Sequence, residues 1–184
     1  MKNIISLFAI LLTFFVNAQK LTIQYLKIAD YDLGSNSDVE IKSHSTLDKK
    51  GNLIVYSDSW DGKNYFKYQL SQEEINKINL LVSKDLESFI KQKQLDKNQY
   101  FAGNRRFITF KVNGKIKSLC FIQPFMTDYF KDLLKVLDKK IYSHDASAII
   151  IMPSSDFEDT KKEIIKREQI DNYLPHKAVI RQIK

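Results

Sequence analysis

Few residues in this chain have types and spacings suited to chemistry. It has three histidines, His44, His144 and His176, and a single cysteine, Cys120. A helical zinc site would set two histidines four positions apart, as in HExxH, and no such pair occurs. The three therefore read as surface groups. His44 shares a polar strand face with Glu40 and Lys42, His144-Asp145 falls in a connection, and His176 follows Pro175. A nucleophilic serine would need a GxSxG elbow, which is missing; Ser154-Ser155-Asp156 is better suited to capping a helix. With five glycines and neither GxxxxGK[ST] nor GxGxxG, a phosphate-cradling loop is not expected. One cysteine makes no internal disulfide and no thiolate zinc site. Cys120 reads as a buried thiol behaving as a small hydrophobe. No metal and no cofactor is expected.

Two stretches remain as candidates. Asp58 and Asp61 flank Trp60, an aromatic with acidic neighbours that would suit a glycan, although a turn with a partly buried Trp is the more ordinary arrangement. The stretch 100–106 is the better binding candidate. Tyr100, Phe101, Arg105 and Arg106 bring two aromatics and two guanidinium forks to an irregular segment that also holds Gly103. Loops held by a rigid scaffold often bind ligands, and an Arg fork matches a carboxylate or phosphate. A packed connection with solvated arginines competes with that reading.

The elements that must position these residues are more legible. Residues 107–112 alternate as a strand, Asn113-Gly114 makes a turn, and a second strand follows. Ile108, Phe110 and Val112 match Ile116, Cys120 and Ile122 in parity. The apolar rows therefore favour an odd-length or bulged turn that pairs Val112 with Ile116. A helix over 127–140 carries Phe130, Leu133, Leu134, Leu137 and Ile141 on one stripe, with Lys131, Lys135 and Lys139 opposite. Upstream, residues 20–28 alternate and then shift phase, as a strand with a bulge does. Val39, Ile41 and Leu47 share one face, residues 53–56 form a short strand, and Phe66, Tyr68 and Leu70 lie in phase. Short turns join these into an antiparallel meander.

Ser71 and Glu74 form a capping box, opening a helix whose stripe from Ile75 to Ile90 reaches about residue 91. Residues 146–152 read as a buried strand stopped by Pro153. A third helix, capped at Ser155 and reaching about 172, has a poor stripe and reads as peripheral, held by charge pairs. Residues 178–180 begin a last short strand. The expected fold is α+β: an antiparallel sheet of about 6–8 strands, two main amphipathic helices on one face and a peripheral third helix.

Lys2 precedes an apolar run over 4–16, then Asn17-Ala18-Gln19. That is the pattern of a secretory signal peptide over 1–18, cleaved after Ala18 and leaving a soluble chain from Gln19. The run is too short to span a bilayer, which takes roughly 20 residues. Residues 19–184 then make one domain, with a core over 20–141 and a strand-helix-strand extension over 142–184. The formal charge of +7 is spread along the chain. Without a run of like charges, it points to solubility rather than to a specific nucleic-acid partner.

Residues 52–140 resemble small exported bacterial domains of unknown function. The shared features are Asp61-Gly62, Leu70-Ser71-Gln72-Glu73-Glu74 and Asn113-Gly114-Lys115; some of those domains begin with a Cys pair, which this chain lacks. The resemblance implies a fold and no active site. Three functions stay open: a non-catalytic exported domain binding a protein or cell-envelope component, a hydrolase of envelope polymers or peptides, and an inhibitor or immunity-type protein.

Overall fold

The structure, a computed structural model, describes residues 21–33, 38–59, 62–96, 101–143, 148–151 and 157–168. The stretch 1–18 read as a signal peptide, Trp60, Asp61, Tyr100, His144, the cap at Ser155, His176 and the last strand expected at 178–180 lie outside these. Among the described residues, seven strands form one antiparallel sheet in the order β6-β5-β1-β2-β3-β4-β7. They are β1 (Tyr25–Leu33), β2 (Val39–Asp48), β3 (Asn52–Ser59), β4 (Gly62–Gln69), β5 (Arg105–Val112), β6 (Lys115–Phe121) and β7 (Ile149–Ile150). The helices are α1 (Gln72–Asn79), α2 (Asp128–Tyr142) and α3 (Glu158–Glu168). The α+β expectation holds.

One sheet face carries the main core. Leu26, Ile28, Leu47, Val55, Tyr68, Ile108, Phe110, Leu119 and Phe121 pack there under Ile78 of α1 and under Phe130, Leu133, Leu134, Leu137 and Ile141 of α2. Thr127 caps α2, accepting the amide of Phe130 at 3.2 Å. The capping box of α1 forms as read, and it does more than cap. Glu74 accepts the Ser71 amide at 2.7 Å and also faces the ammonium of Lys140 on α2 at 3.3 Å. Lys140 is buried, lies 4.9 Å from the Tyr68 ring centroid and returns its own carbonyl to the Tyr68 hydroxyl. One carboxylate thus ties both helices to the sheet.

The opposite face holds a smaller core of Ala29, Tyr31, Val39, Ile41, Tyr56, Phe107 and Cys120, closed by Ile164 of α3. A register shift connects the two faces. Asp30 pairs with Ser43, but Tyr31 pairs with Ile41, leaving Lys42 as an extra residue. Leu47 therefore serves the main core while Val39 and Ile41 serve the smaller one, although all three share parity. The bulge expected in the first strand is therefore in β2 instead; β1 alternates regularly, Leu26 and Ile28 facing the main core and Ala29 and Tyr31 the smaller one.

Four details differ from the expectations. The β5–β6 turn is the two-residue type, with Val112 opposite Lys115 and Ile108 opposite Leu119. Asn113 and Gly114 both take positive φ, 49° and 76°, the backbone whose twist matches a hairpin. Leu119 and Phe121 supply the main-core row of β6, Cys120 turns to the smaller core, and Ile116 is left 63% exposed. The helix expected to reach 91 stops at Asn79. Short 3₁₀ turns follow at Leu80–Ser83 and Leu86–Phe89, split by extended Lys84 and Asp85. Ser83 and Ser88 bond back to the carbonyls of Leu80 and Asp85, competing with helical bonding. The pairing of Ile90 with Met126 then draws the chain straight.

At the sheet edge, β7 is a two-residue strand on β4, with Ile149 and Ile150 62% and 81% exposed, so it is not the buried strand expected. Lastly, α3 keeps charge pairs such as Glu158–Lys161, yet it also buries Ile164 and Thr160 against the second face.

Candidate functional site

Antiparallel pairing sets Asp30 of β1 directly opposite Arg106 of β5, and Ser43 of β2 opposite Asp30 on the other side. Asp30 continues the row of Leu26 and Ile28, and Arg106 that of Ile108 and Phe110, so both point to the α2 side of the sheet. On α2, Asp138 and Tyr142 stand four residues apart and therefore share a face. They close over this polar row.

The resulting network is dense. Arg106 Nε donates to Asp30 Oδ1 at 2.7 Å and Nη2 to Asp30 Oδ2 at 3.1 Å. Its Nη1 donates to Asp138 Oδ1 at 2.9 Å. Ser43 and Tyr142 both donate hydroxyl hydrogens to Asp30 Oδ2. Burial works against the charge on Arg106, but Asp30 and then Asp138 outweigh it and hold the guanidinium protonated more firmly than usual. Burial also lifts the Asp138 carboxyl above its ordinary value; Arg106 pulls it back, and Asp30 adds to the lift.

Over this network lies a cleft of about 740 Å³, a size typical of small-ligand sites. Its lining includes Phe101, Gly103 and Asn104 ahead of β5, Gln123 and Met126 after β6, and Asp128, Lys131, Asp132 and Lys135 of α2. These α2 charges are largely paired: Lys131 with Asp128 at 3.2 Å, and Asp132 with Lys77 at 2.9 Å.

The stretch singled out in the sequence thus contributes to a cleft, but not as a double fork. Phe101 lines it and Arg106 forms its floor. Arg105 pairs with Tyr31 and, by strand alternation, points to the opposite face. Tyr100 lies outside the described residues. Asp30, Asp138, Tyr142 and Gln123 were not singled out. Asp30 opens the polar stretch 30–37, which reads as a loop, but β1 continues to Leu33 and places Asp30 two residues past Ile28 on the same face; the i, i+4 pair on α2 left only a weak trace.

His44 is not a surface group. It sits half-buried beneath α3, with Nε2 3.1 Å from Thr160 Oγ1 and its ring centroid 4.8 Å from that of Phe157. Burial, with Lys27 nearby, pushes it down to about 4, so it is a neutral packing residue at pH 7. The bulge at Lys42 splits the expected polar row: by strand alternation Glu40 faces away from Val39 and Ile41, whereas His44 joins their side, the one α3 covers. Next to it, Tyr56 packs 4.7 Å from Phe157 and 5.0 Å from Tyr65. Burial, then Asp58, pushes the Tyr56 hydroxyl up to about 12. Among the described residues no group of three or more His, Cys, Asp or Glu could hold a metal ion, and no helix is long and apolar enough to cross a membrane.

Comparison with known proteins adds no identity: no family model matches the chain, and no curated protein matches it.

Proposed function

We propose that this chain is an exported, non-catalytic binding domain whose cleft at Phe101 and Arg106 receives a component of the cell envelope, free or protein-borne. The commitment of Arg106 carries the reading. Three of its nitrogens are engaged by Asp30, Asp138 and Tyr142. The guanidinium therefore holds the cleft in shape instead of being presented to an anionic substrate, and a preformed cleft binds without a large ordering cost. Export follows from the amino-terminal pattern, with cleavage after Ala18.

A hydrolase is the second reading, favoured by one observation: the lifted carboxyl of Asp138 opens on the cleft, as a general acid would. One experiment separates the two. The chain expressed with its leader in a bacterial host is recovered, its amino terminus sequenced, and the product incubated with solubilised peptidoglycan while amide shifts and fragment masses are followed. A terminus at Gln19 and saturable shifts without new fragments support the proposal. Fragments whose formation stops in Asp138→Asn would replace binding by hydrolysis, and a retained leader would remove the export assignment.

A further inference from the structure

We infer that the cleft takes a sugar ring, recognised by its hydroxyls and its C–H face together. This rests on the binding reading above and names the class of ligand.

The charge arrangement of the floor disfavours a small ion there, although Lys135 lines the same cleft. An anion entering the floor would meet Asp30 and Asp138, whose carboxylates already share the guanidinium. A cation would have to sit beside Arg106 itself. Either adds a poorly solvated charge next to one of like sign, which costs more than it returns. The floor nonetheless has unused capacity. Only Oδ1 of Asp138 is taken up by Arg106 among the described residues, and the side chain remains 33% exposed, with its second oxygen left for the cleft. That oxygen calls for a donor without charge, which a hydroxyl is.

The walls agree. Gln123 and Asn104 each bring a carboxamide with both donor and acceptor, matching a group such as hydroxyl that does both. Phe101 and Met126 bring apolar surface at the same cleft. Gly103 keeps the Phe101 ring where it is: a Cβ at 103 would lie 2.6 Å from the ring's Cζ. A neutral ligand with donors around its edge and an apolar face fits all of these together, and a pyranose has that build. Phosphate and simple ammonium ions do not.

The test is a titration of the full chain, followed by backbone amide shifts. The probes are N,N′-diacetylchitobiose, maltotriose, solubilised peptidoglycan, inorganic phosphate and a mixed Lys/Asp peptide. At least one neutral sugar should give saturable shifts at Phe101, Gly103 and Gln123. Phe101→Ala and Gln123→Ala should each raise its Kd about tenfold, Gln123→Ala with a melting temperature near the parent's and Phe101→Ala with a lower one, since its ring also packs against the main core. A response to the free disaccharide would place recognition in the sugar ring. A response to peptidoglycan alone, lost in both variants, would place it in the polymeric form of the same chemistry. Shifts from the peptide or phosphate without any from the sugars overturn the sugar assignment and leave the binding cleft standing. No response at these amides to any probe overturns both. Cleavage of a bound sugar would keep the ligand class and overturn the non-catalytic reading.

Discussion

Asp30 and Arg106 face each other across neighbouring strands and form a two-pronged ion pair, at 2.7 and 3.1 Å, with both side chains almost out of solvent. The pair fixes more than itself. Through Asp138 it holds the end of α2 to the sheet, so the cleft and the fold depend on the same guanidinium.

Removing one partner should therefore cost much more than removing both. Arg106→Met leaves the Asp30 carboxylate buried with hydroxyls alone, and a loss of about 3–5 kcal/mol in unfolding free energy is expected. The double variant Asp30→Leu/Arg106→Met should recover part of that loss, because the buried Asp30 charge goes with its partner and only the third-exposed Asp138 is left without a cation. Urea unfolding of the three proteins checks this. Equal losses in the single and double variants would mean that the pair is not desolvated as the structure has it.

His44 sets a pH dependence of determined sign. Its folded value of about 4 lies below the ordinary 6.5, so the unfolded chain binds the proton more readily. Its contribution is fully present above pH 6.5 and is lost as pH falls towards 4, to an extent on the order of 3 kcal/mol. Unfolding free energy measured between pH 4 and 7 should rise with pH, and His44→Phe should flatten that rise. Asp138 works the other way. Its carboxyl is raised in the fold, so its contribution is present at low pH and fades as pH climbs through the raised value. A residual fall with pH in His44→Phe is its expected trace.

What was legible in the sequence was local chemistry. The capping box at Ser71 and Glu74, the stripe on α2 and the strand alternation each depend on residues a few positions apart. What failed depended on distant partners. His44 looked solvated because nothing near it in sequence showed that α3, more than a hundred positions on, lies over it. The hairpin register was misjudged by weighing Ile116 and Cys120 over Leu119 and Phe121. The two odd-numbered residues win because the type I′ turn and the main core both favour them. Of the helix stripe to residue 90, Ile78, Leu86 and Phe89 are fully buried and Ile75, Val82 and Ile90 partly, but the broken path of 3₁₀ turns also buries Leu81, which a helical stripe leaves out. The candidate stretch found its cleft through Phe101 and Arg106, while the carboxylates completing it came from β1 and α2, which local pattern could not join.

Gly103 offers a way to test the cleft without disturbing its floor. In Gly103→Ala the new methyl meets three atoms of the Phe101 ring at 2.6 to 3.3 Å, and the ring must move. Gly103 is exposed, but the displaced ring packs against the main core, so a loss of about 1 kcal/mol is expected. Affinity for the responding sugar should fall about as far as in Phe101→Ala, if aromatic placement matters to binding. Thermal unfolding alongside the titration separates the two effects.

The hairpin register can be read from one substitution. Gly114 stands at φ 76° in the two-residue turn, so Gly114→Ala should cost about 1–2 kcal/mol, whereas Asn113→Gly should cost little. Unfolding curves that place both variants within a few tenths of the parent would argue for another turn.

The third helix is where charge pairing and burial make opposite forecasts. A helix held by charge pairs alone would be insensitive to its one inward isoleucine and would loosen when its contact to β1, the 3.0 Å pair of Lys27 with Glu163, is cut. Ile164, however, is fully buried among Ala29, Tyr31, Phe107 and Cys120, and Glu163 is about half exposed. Truncating a buried isoleucine to alanine typically costs about 2–5 kcal/mol. An exposed ion pair is worth about 0–1 kcal/mol. Ile164→Ala should therefore destabilise the whole domain several times more than Glu163→Gln, and salt should leave that ranking unchanged. Denaturant unfolding of the two variants at low and high ionic strength decides it. A larger effect from Glu163→Gln, disappearing in salt, would return α3 to the role of a solvated appendage.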